Sequence, residues 1–385
     1  MIWAQPEDYQ VIEEELWTAR QRQMSSLHEI SYRACFKAEL PAWFIERYTN
    51  PGDVVYDPFS GRGTTVVQAS LSGRRFIGND LNPLSRIIAE PRISPPPLSA
   101  IERRIHEIVL DGDLGLHREE DEPEVDVFFN QQTLKEIRNL RMYLQDRRTS
   151  GEEDGLDAWI RMVATNRLTG HSPGFFSVYT LPPNQATTPQ RQRTINQKYS
   201  NDFSQYRDVK QIIRQKSRSL LKEFPNGFIG MGGVFLTCSA DDTPQIPDGC
   251  VNLIVTSPPF LNNVQYDKDN WLRTWFNNLN TGELSGQLSQ TASLTAWQEL
   301  MGRVFAEFVR IMTPGGHVAF EVGEIRKGKL KLDEVVFQLM MEAGLIPVAT
   351  LINRQVFTKT SNIWGIKNNE GGTNSNRIVL FRRGV

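Results

Sequence analysis

The sequence predicts an α/β fold: a doubly wound, mostly parallel sheet that closes with an antiparallel strand pair and carries a largely helical inserted domain. Three observations predict it. A strand, a glycine-rich loop, a helix and a second strand succeed one another over residues 54–80. A second series of short apolar strands alternating with helices begins near Val234. Between them, residues 101–225 show helical periodicity and no sheet rhythm.

Taken in order, residues 7–24 are mostly polar and are predicted helical. Residues 39–48, ELPAWFIERY, predict a short helix with Pro41 in its first turn. Asn50-Pro51-Gly52-Asp53 is a turn signal. Val54, Val55 and Tyr56 then make a short buried strand. The loop DPFSGRGTT leads into a helix over 64–71 that stops at Gly73, and a second strand over 75–78 runs out at Asn79-Asp80. Such a β-α-β unit implies parallel strands and a ligand crevice at their carboxyl ends.

Pro91, Pro95, Pro96 and Pro97 mark a boundary. It divides the chain into residues 1–94, 95–229 and 230–385. In the middle region, 101–110, 131–144, 156–167 and 209–221 are predicted helices, and 169–196, rich in Gly, Pro, Gln and Thr, is predicted loop. Beyond it come strands at 234–236, 251–255 and 317–322 and helices at 300–312 and 332–343. The terminal pair spans 345–357 and 376–382. No internal repeat is visible.

The 385 residues suffice for one large core with a second lobe, or for two domains. No apolar run approaches the roughly 20 residues that span a bilayer, and the acidic amino-terminal stretch is unlike a signal peptide. Cys35, Cys238 and Cys250 show neither metal-ligand nor disulfide spacing. The expectation is a cytoplasmic protein with no metal and no membrane association. The formal net charge of -2 leaves nucleic acid open, because a basic cleft can sit on a neutral protein. Residues 119–126, EEDEPEVD, read as a solvated acidic loop. Over 185–222 the sign reverses: nine Lys and Arg face only Asp202 and Asp208. That segment is either a wet loop followed by an amphipathic helix or a phosphate-contacting surface.

The glycine loop lacks the Lys-Ser/Thr of a phosphate-binding loop and the GxGxxG of a dinucleotide site. Gly61 and Gly63 allow backbone to approach a ligand closely. Asp57 at one strand end suits an ammonium or ordered water, and Asp80 at the next suits a ribose diol. An amino-acid moiety beside a ribose describes S-adenosylmethionine better than NAD. Far along the chain, VNLIVTSPPF ends a buried strand in Ser257-Pro258-Pro259-Phe260. An exocyclic amine conjugated to a base ring is a poor nucleophile. A hydroxyl at Ser257 and a carbonyl at Pro258 can accept its hydrogens and aim its lone pair, while two prolines stiffen the turn. Phe260 offers an aromatic face to a base swung out of a duplex.

DPFSGRGTT, GRRFIGNDLNP and TSPPF together resemble the amino-group DNA methyltransferases, which methylate cytosine N4 or adenine N6. SYRACFKAELPAWFIERYTNPGDVV resembles the segment entering that family's cofactor loop. The resemblance covers about residues 28–92 and 230–383. It implies a Rossmann-like class I methyltransferase sheet and S-adenosylmethionine as cofactor. Asp57, Phe59, Gly61, Gly63 and Thr64 would line the methionine side, Asp80 would take the ribose with Asn82 beside it, and Asp241 would meet the adenine amino group. Residues 1–94 would then be the cofactor-binding half and 230–385 the catalytic half. In the family a Ser before Pro-Pro usually accompanies cytosine N4, and an Asp adenine N6. Cytosine N4 is therefore the expected target, with adenine N6 the alternative. Cytosine C5 chemistry fits poorly, since no Pro-Cys stands beside the expected loop.

The insertion is the expected target-recognition region, with Gln185, Arg191, Arg193 and Lys198 as candidate DNA contacts. In this chain it precedes the Asp241 strand, whereas the commoner form places it after that strand. Phe175 and Phe176 pack internally or enter DNA, and internal packing is preferred. Trp159, spaced with Met162 and Val163, reads as core. Tyr266, just beyond the Ser-Pro-Pro turn, either shapes a base pocket or packs a helix. The expected partner is double-stranded DNA, with a cognate restriction endonuclease in a prokaryotic or phage-encoded system, and both monomer and homodimer are open. An RNA methyltransferase, or a DNA-binding protein without activity, are the less favoured readings.

Overall fold

A computed structural model describes residues 9–14, 23–32, 35–112, 122–181, 186–259, 266–279, 293–322, 324–325, 330–354 and 375–385. In chain order the elements of the sheet's first half are β1 (Gln10–Glu14), α1 (Glu39–Tyr48), β2 (Val54–Asp57), α2 (Thr64–Leu71), β3 (Arg75–Asn79) and α3 (Leu84–Ala89). The insertion supplies α4 (Leu98–Glu107), α5 (Gln131–Thr149), α6 (Gly155–Arg167), α7 (Pro189–Tyr199) and α8 (Val209–Leu220). The second half comprises β4 (Gly233–Leu236), β5 (Val251–Thr256), α9 (Tyr266–Phe276), α10 (Leu294–Ile311) and β6 (Met312–Val322). The short pair β7 (Glu324–Ile325) and β8 (Leu330–Lys331) precedes α11 (Leu332–Glu342), β9 (Ile346–Arg354) and β10 (Ser375–Arg382).

Eight strands form one sheet in the order β1-β9-β10-β6-β5-β2-β3-β4. From β6 to β4 every pairing is parallel, while β10 runs antiparallel to both of its neighbours. This is the mostly parallel Rossmann-like class I methyltransferase sheet with its terminal antiparallel strands, joined to a helical insertion. Strand order reverses between β2 and β5, and such a reversal opens a crevice at the carboxyl ends. Strand β2 makes that centre because Val55 and Tyr56 are fully buried, one toward each of the two apolar layers.

Local sequence fixes the insertion's helices. The Asn130 side chain accepts from Gln132 N and Thr133 N to start α5, and Asp154 and Asp157 form a reciprocal capping box at α6. Trp159, Met162 and Val163 are fully buried, and Trp159 Nε1 donates to Ser217 Oγ at 3.0 Å. Phe175 and Phe176 are buried as well.

Three expectations are corrected. Within 7–24, predicted helical, Gln10–Glu14 is an edge strand parallel to β9. Its alternation of an exposed Val11 and a half-buried Ile12 packed on the core is a strand pattern, which outweighs the helix-favouring glutamates. The predicted loop over 169–196 contains the start of α7, where the Thr188 hydroxyl accepts from Arg191 N and Pro189 stands at the first turn. The strand expected at 317–322 begins at Met312, with a register shift between Val251 and Leu253 that absorbs Pro314-Gly315-Gly316.

Candidate functional site

The carboxyl ends of β2, β3, β4 and β5 surround a cavity of about 470 Å³, within the roughly 300–1,000 Å³ of small-molecule sites. Asp57, Phe59, Gly61 and Thr64 lie on its wall, as do Asp80, Asn82, Ser257 and Pro259. Most of the sequence-predicted cofactor residues thus meet the Ser-Pro-Pro turn around one space.

The loop after β2 is held open by its own hydrogen bonds. Ser60 N donates to Asn79 O at 2.9 Å, Ser60 Oγ to Asp57 O at 2.9 Å, and Gly63 N to Ser60 O at 2.6 Å. Gly61 and Gly63 both have positive φ, at 50° and 78°, which L side chains rarely adopt. Gly61 N donates to Asp80 Oδ2 at 2.8 Å, and Asn82 N to Asp80 Oδ1 at 2.9 Å. On Asp57, Oδ1 accepts from Thr256 Oγ1 at 2.6 Å and from Phe59 N at 3.2 Å.

Burial pushes Asp57 up to about 7, despite the donors at Thr256 and Phe59, with Asp80 adding a smaller push. Burial likewise raises Asp80 to about 6 against the amide donors of Asn82 and Gly61. No cation among the described residues pairs with either carboxyl. Arg62 is on the wall, but its guanidinium is spent on Thr64 Oγ1, Ile30 O and Phe36 O at 2.9, 3.2 and 2.9 Å. Two buried carboxyls lacking a counter-charge fit a ligand that brings an ammonium and a diol.

Other predicted residues fall elsewhere. Gly63 lies behind the wall, where a Cβ would stand 2.3 Å from Ala89 Cβ. Pro258 is buried and off the wall. The wall at the β4 end is Thr237, Cys238, Ser239 and Ala240, not Asp241. Asp241 is held away by Arg303 Nε at 2.8 Å and by the Ser239 hydroxyl. Burial opposes its ionisation, but these two donors outweigh burial and keep its pKa below the usual value. Arg191, Arg193 and Lys198 are exposed on α7, and Arg193 reaches Glu124 at 2.5 Å. Gln185 and Phe260 lie outside the described residues. Tyr266 opens α9, and its side chain also lies outside them.

The wall includes Tyr32, Cys35 and Phe36, and Leu300 and Val304 of α10. The first three sit in SYRACF, the segment that the sequence pattern tied to the loop. Nothing in the sequence marks the two α10 residues, which read as ordinary helix core. Among the described residues no group of acidic, His or Cys side chains is placed to hold a metal. No helix among them is long and apolar enough to cross a membrane.

The sheet is that of a class I methyltransferase fold, and its order reversal lies at a cavity with a carboxyl at each of two adjacent strand ends. The family described as DNA methylase is matched over residues 4–90. That match and its relatives make this part of the chain similar to DNA methylases. The chain is 35% identical over 72 residues to the type II methyltransferase M.MjaII of Methanocaldococcus jannaschii, covering 19% of this chain and 14% of that protein. A longer, weaker likeness runs to the type II methyltransferase M.MvaI of Kocuria varians, 20% over 226 residues, 54% of this chain and 46% of that one. The DNA adenine methyltransferase YhdJ of Escherichia coli is 39% identical over 62 residues, 14% of this chain and 21% of that protein. The chain therefore spans less than half the length of each of these relatives.

Proposed function

We propose that the chain methylates the exocyclic N4 amine of a flipped cytosine in double-stranded DNA, with S-adenosylmethionine as donor and no covalent bond between enzyme and base. The observation that carries the reading is the meeting of Ser257 and Pro259 with Asp57 and Asp80 around one cavity. A cofactor cradle alone would not need a Ser-Pro-Pro turn on its wall.

When bound, S-adenosylmethionine supplies an electrophilic methyl on a sulfonium. Asp57 would hold the ammonium of its amino-acid end and Asp80 the ribose hydroxyls, with Phe59, Gly61, Thr64 and Asn82 shaping the space. Gly63 would act from behind, by setting the loop. Asp241 would serve the adenine end through the Ser239–Ala240 wall, its own carboxylate being engaged by Arg303. Ser257 Oγ and the Pro258 carbonyl would accept the amine's hydrogens, so that its lone pair faces the methyl. Pro259 keeps the turn stiff and Phe260 would stack on the base. Arg191, Arg193 and Lys198, exposed on α7, would meet phosphates, with Gln185 and Tyr266 nearer the base.

Ser257 before Pro-Pro supports cytosine N4. Adenine N6 is the second reading, supported by the likeness to a DNA adenine methyltransferase. A cognate restriction endonuclease extends the proposal, supported by two relatives named type II methyltransferases. Incubation with labelled S-adenosylmethionine and DNA of varied sequence, followed by nucleoside mass analysis, tests the reading. N4-methylcytosine is expected. N6-methyladenine moves the enzyme to the second reading, and label on cytosine C5 or on no DNA refutes both.

A further inference from the structure

The Ser-Pro-Pro turn is tied down at both ends. On its amino side, Thr256 is fully buried and its hydroxyl donates to Asp57 Oδ1 at 2.6 Å. On its carboxyl side, Trp297 Nε1 donates to Pro259 O at 3.2 Å. Pro258 and Pro259 have no N–H, so the turn supplies no main-chain donors of its own at these two positions. A donor must come from outside, and α10 provides it.

Trp297 is well placed to do so. It is fully buried in the first turn of α10, where its own N donates to Ser293 O at 3.0 Å. Met301, Val304, Phe305 and Phe308 fix the rest of the helix in the apolar layer behind the turn. Leu300 and Val304 carry the same helix onto the cavity wall. One rigid element therefore backs the cavity and holds the turn. A buried indole N–H needs an acceptor, and the acceptor here is the carbonyl of the Ser-Pro-Pro turn.

We propose that Trp297 is a positioning residue for methyl transfer: its indole N–H fixes the Pro259 carbonyl, and through it the Ser257 and Pro258 acceptors, in line with the cofactor. This deepens the proposed methyl-transfer function and rests on it. Thr256 performs the matching task on the cofactor side, which ties the turn to Asp57. The two anchors act on different quantities. Loss of the Trp297 N–H loosens the acceptors and leaves the cofactor carboxyls in place. Loss of the Thr256 hydroxyl removes a donor from Asp57 and weakens cofactor binding.

The test is Trp297→Phe, which deletes the N–H and keeps an aromatic ring, beside Met301→Leu, a buried change on the same helix without a hydrogen bond. Single-turnover methyl transfer to DNA and calorimetric titration with S-adenosylmethionine are measured on folded protein. Trp297→Phe is expected to slow transfer by about tenfold, as for a lost hydrogen bond of ordinary net strength expressed in the transition state. Its cofactor affinity should stay within about twofold of wild type, since Asp57 and Asp80 are untouched. Met301→Leu should change neither quantity by more than about twofold. Transfer by Trp297→Phe at the wild-type rate, or an equal loss in Met301→Leu, overturns the assignment while the functional reading stands. A wild type that methylates no DNA overturns that reading, and the assignment with it.

Discussion

Cofactor affinity should rise with pH between 6 and 8, and the two buried carboxyls set the size of the change. The perturbation is pH alone. Burial lifts Asp57 to about 7 and Asp80 to about 6 in the cofactor-free protein. An ammonium favours an ionised Asp57, and hydroxyl donors favour an ionised Asp80. Raised pKa values mean that protons occupy these sites below neutrality and must leave before the cofactor binds. At pH 8 both groups are largely ionised. At pH 6 only about one tenth of Asp57 and one half of Asp80 remain so, giving about a twentyfold weaker apparent affinity. Calorimetry at pH 7, in buffers of different ionisation enthalpy, should show release of about 0.6 proton per cofactor bound, mostly from Asp57. The cofactor-free fold should show the mirror effect. Both groups bind more protons folded than unfolded between about pH 4 and 7, so their contribution to stability falls as pH rises through that window. Asp57→Asn should abolish most of the pH dependence along with much of the affinity. Constant affinity from pH 6 to 8, or tighter binding at pH 6, would refute the reasoning.

The remaining predictions concern the turn, the loop and α7. Ser257→Ala should lower the single-turnover rate by about tenfold or more while cofactor affinity changes by less than about twofold; equal losses in both would place Ser257 in cofactor binding instead. Gly63→Ala combines a φ of 78° with a Cβ 2.3 Å from Ala89 Cβ, so denaturant unfolding should show a loss of about 2–5 kcal/mol. Arg191→Ala should lower the slope of log affinity for DNA against log salt by roughly one. Arg193→Ala should do less, because Glu124 already pairs with it; fluorescence titrations across a salt series would reveal it, and unchanged slopes in both would make α7 a solvated face.

Much of the sheet was legible because its signals are local. Asp57 and Asp80 each end a short apolar run, and the turn after Val255 is announced by two prolines. Such runs must be buried, and the polar residue that ends each one stands at a strand's carboxyl end. In the insertion α4, α5, α6 and α8 were legible through periodicity, whereas α7 was not. Less legible was whatever depended on a distant partner. Gln10–Glu14 becomes a strand because β9 lies alongside it, more than 330 residues away in sequence. Asp241 sits one residue past the wall because Arg303 claims it, and no local pattern reports that pairing. Trp297 gave no signal either, since a buried Trp on an apolar helix face looks like core until Pro259 O is seen above it.

The insertion's position also has a physical account. It leaves the sheet after β3 and returns at β4, the strands that carry Asp80 and the Thr237–Ala240 wall. A long excursion there would disturb the cavity if its two ends were free to move apart. They are not. Leu98 N donates to Pro225 O at 3.0 Å, and Phe228 N donates to Pro95 O at 3.1 Å, so the outgoing and returning segments are joined where they meet the sheet. The apolar layer on this side runs without a break from Val66 and Phe76 to Trp159, Ile160 and Phe176. The insertion is therefore closed at its base and shares the core of the sheet. Its exposed α7 face can change sequence without moving either strand end, while its buried helices cannot. The proposed target-recognition role of the insertion would need that separation. Here it comes from two main-chain hydrogen bonds at the base and one continuous core.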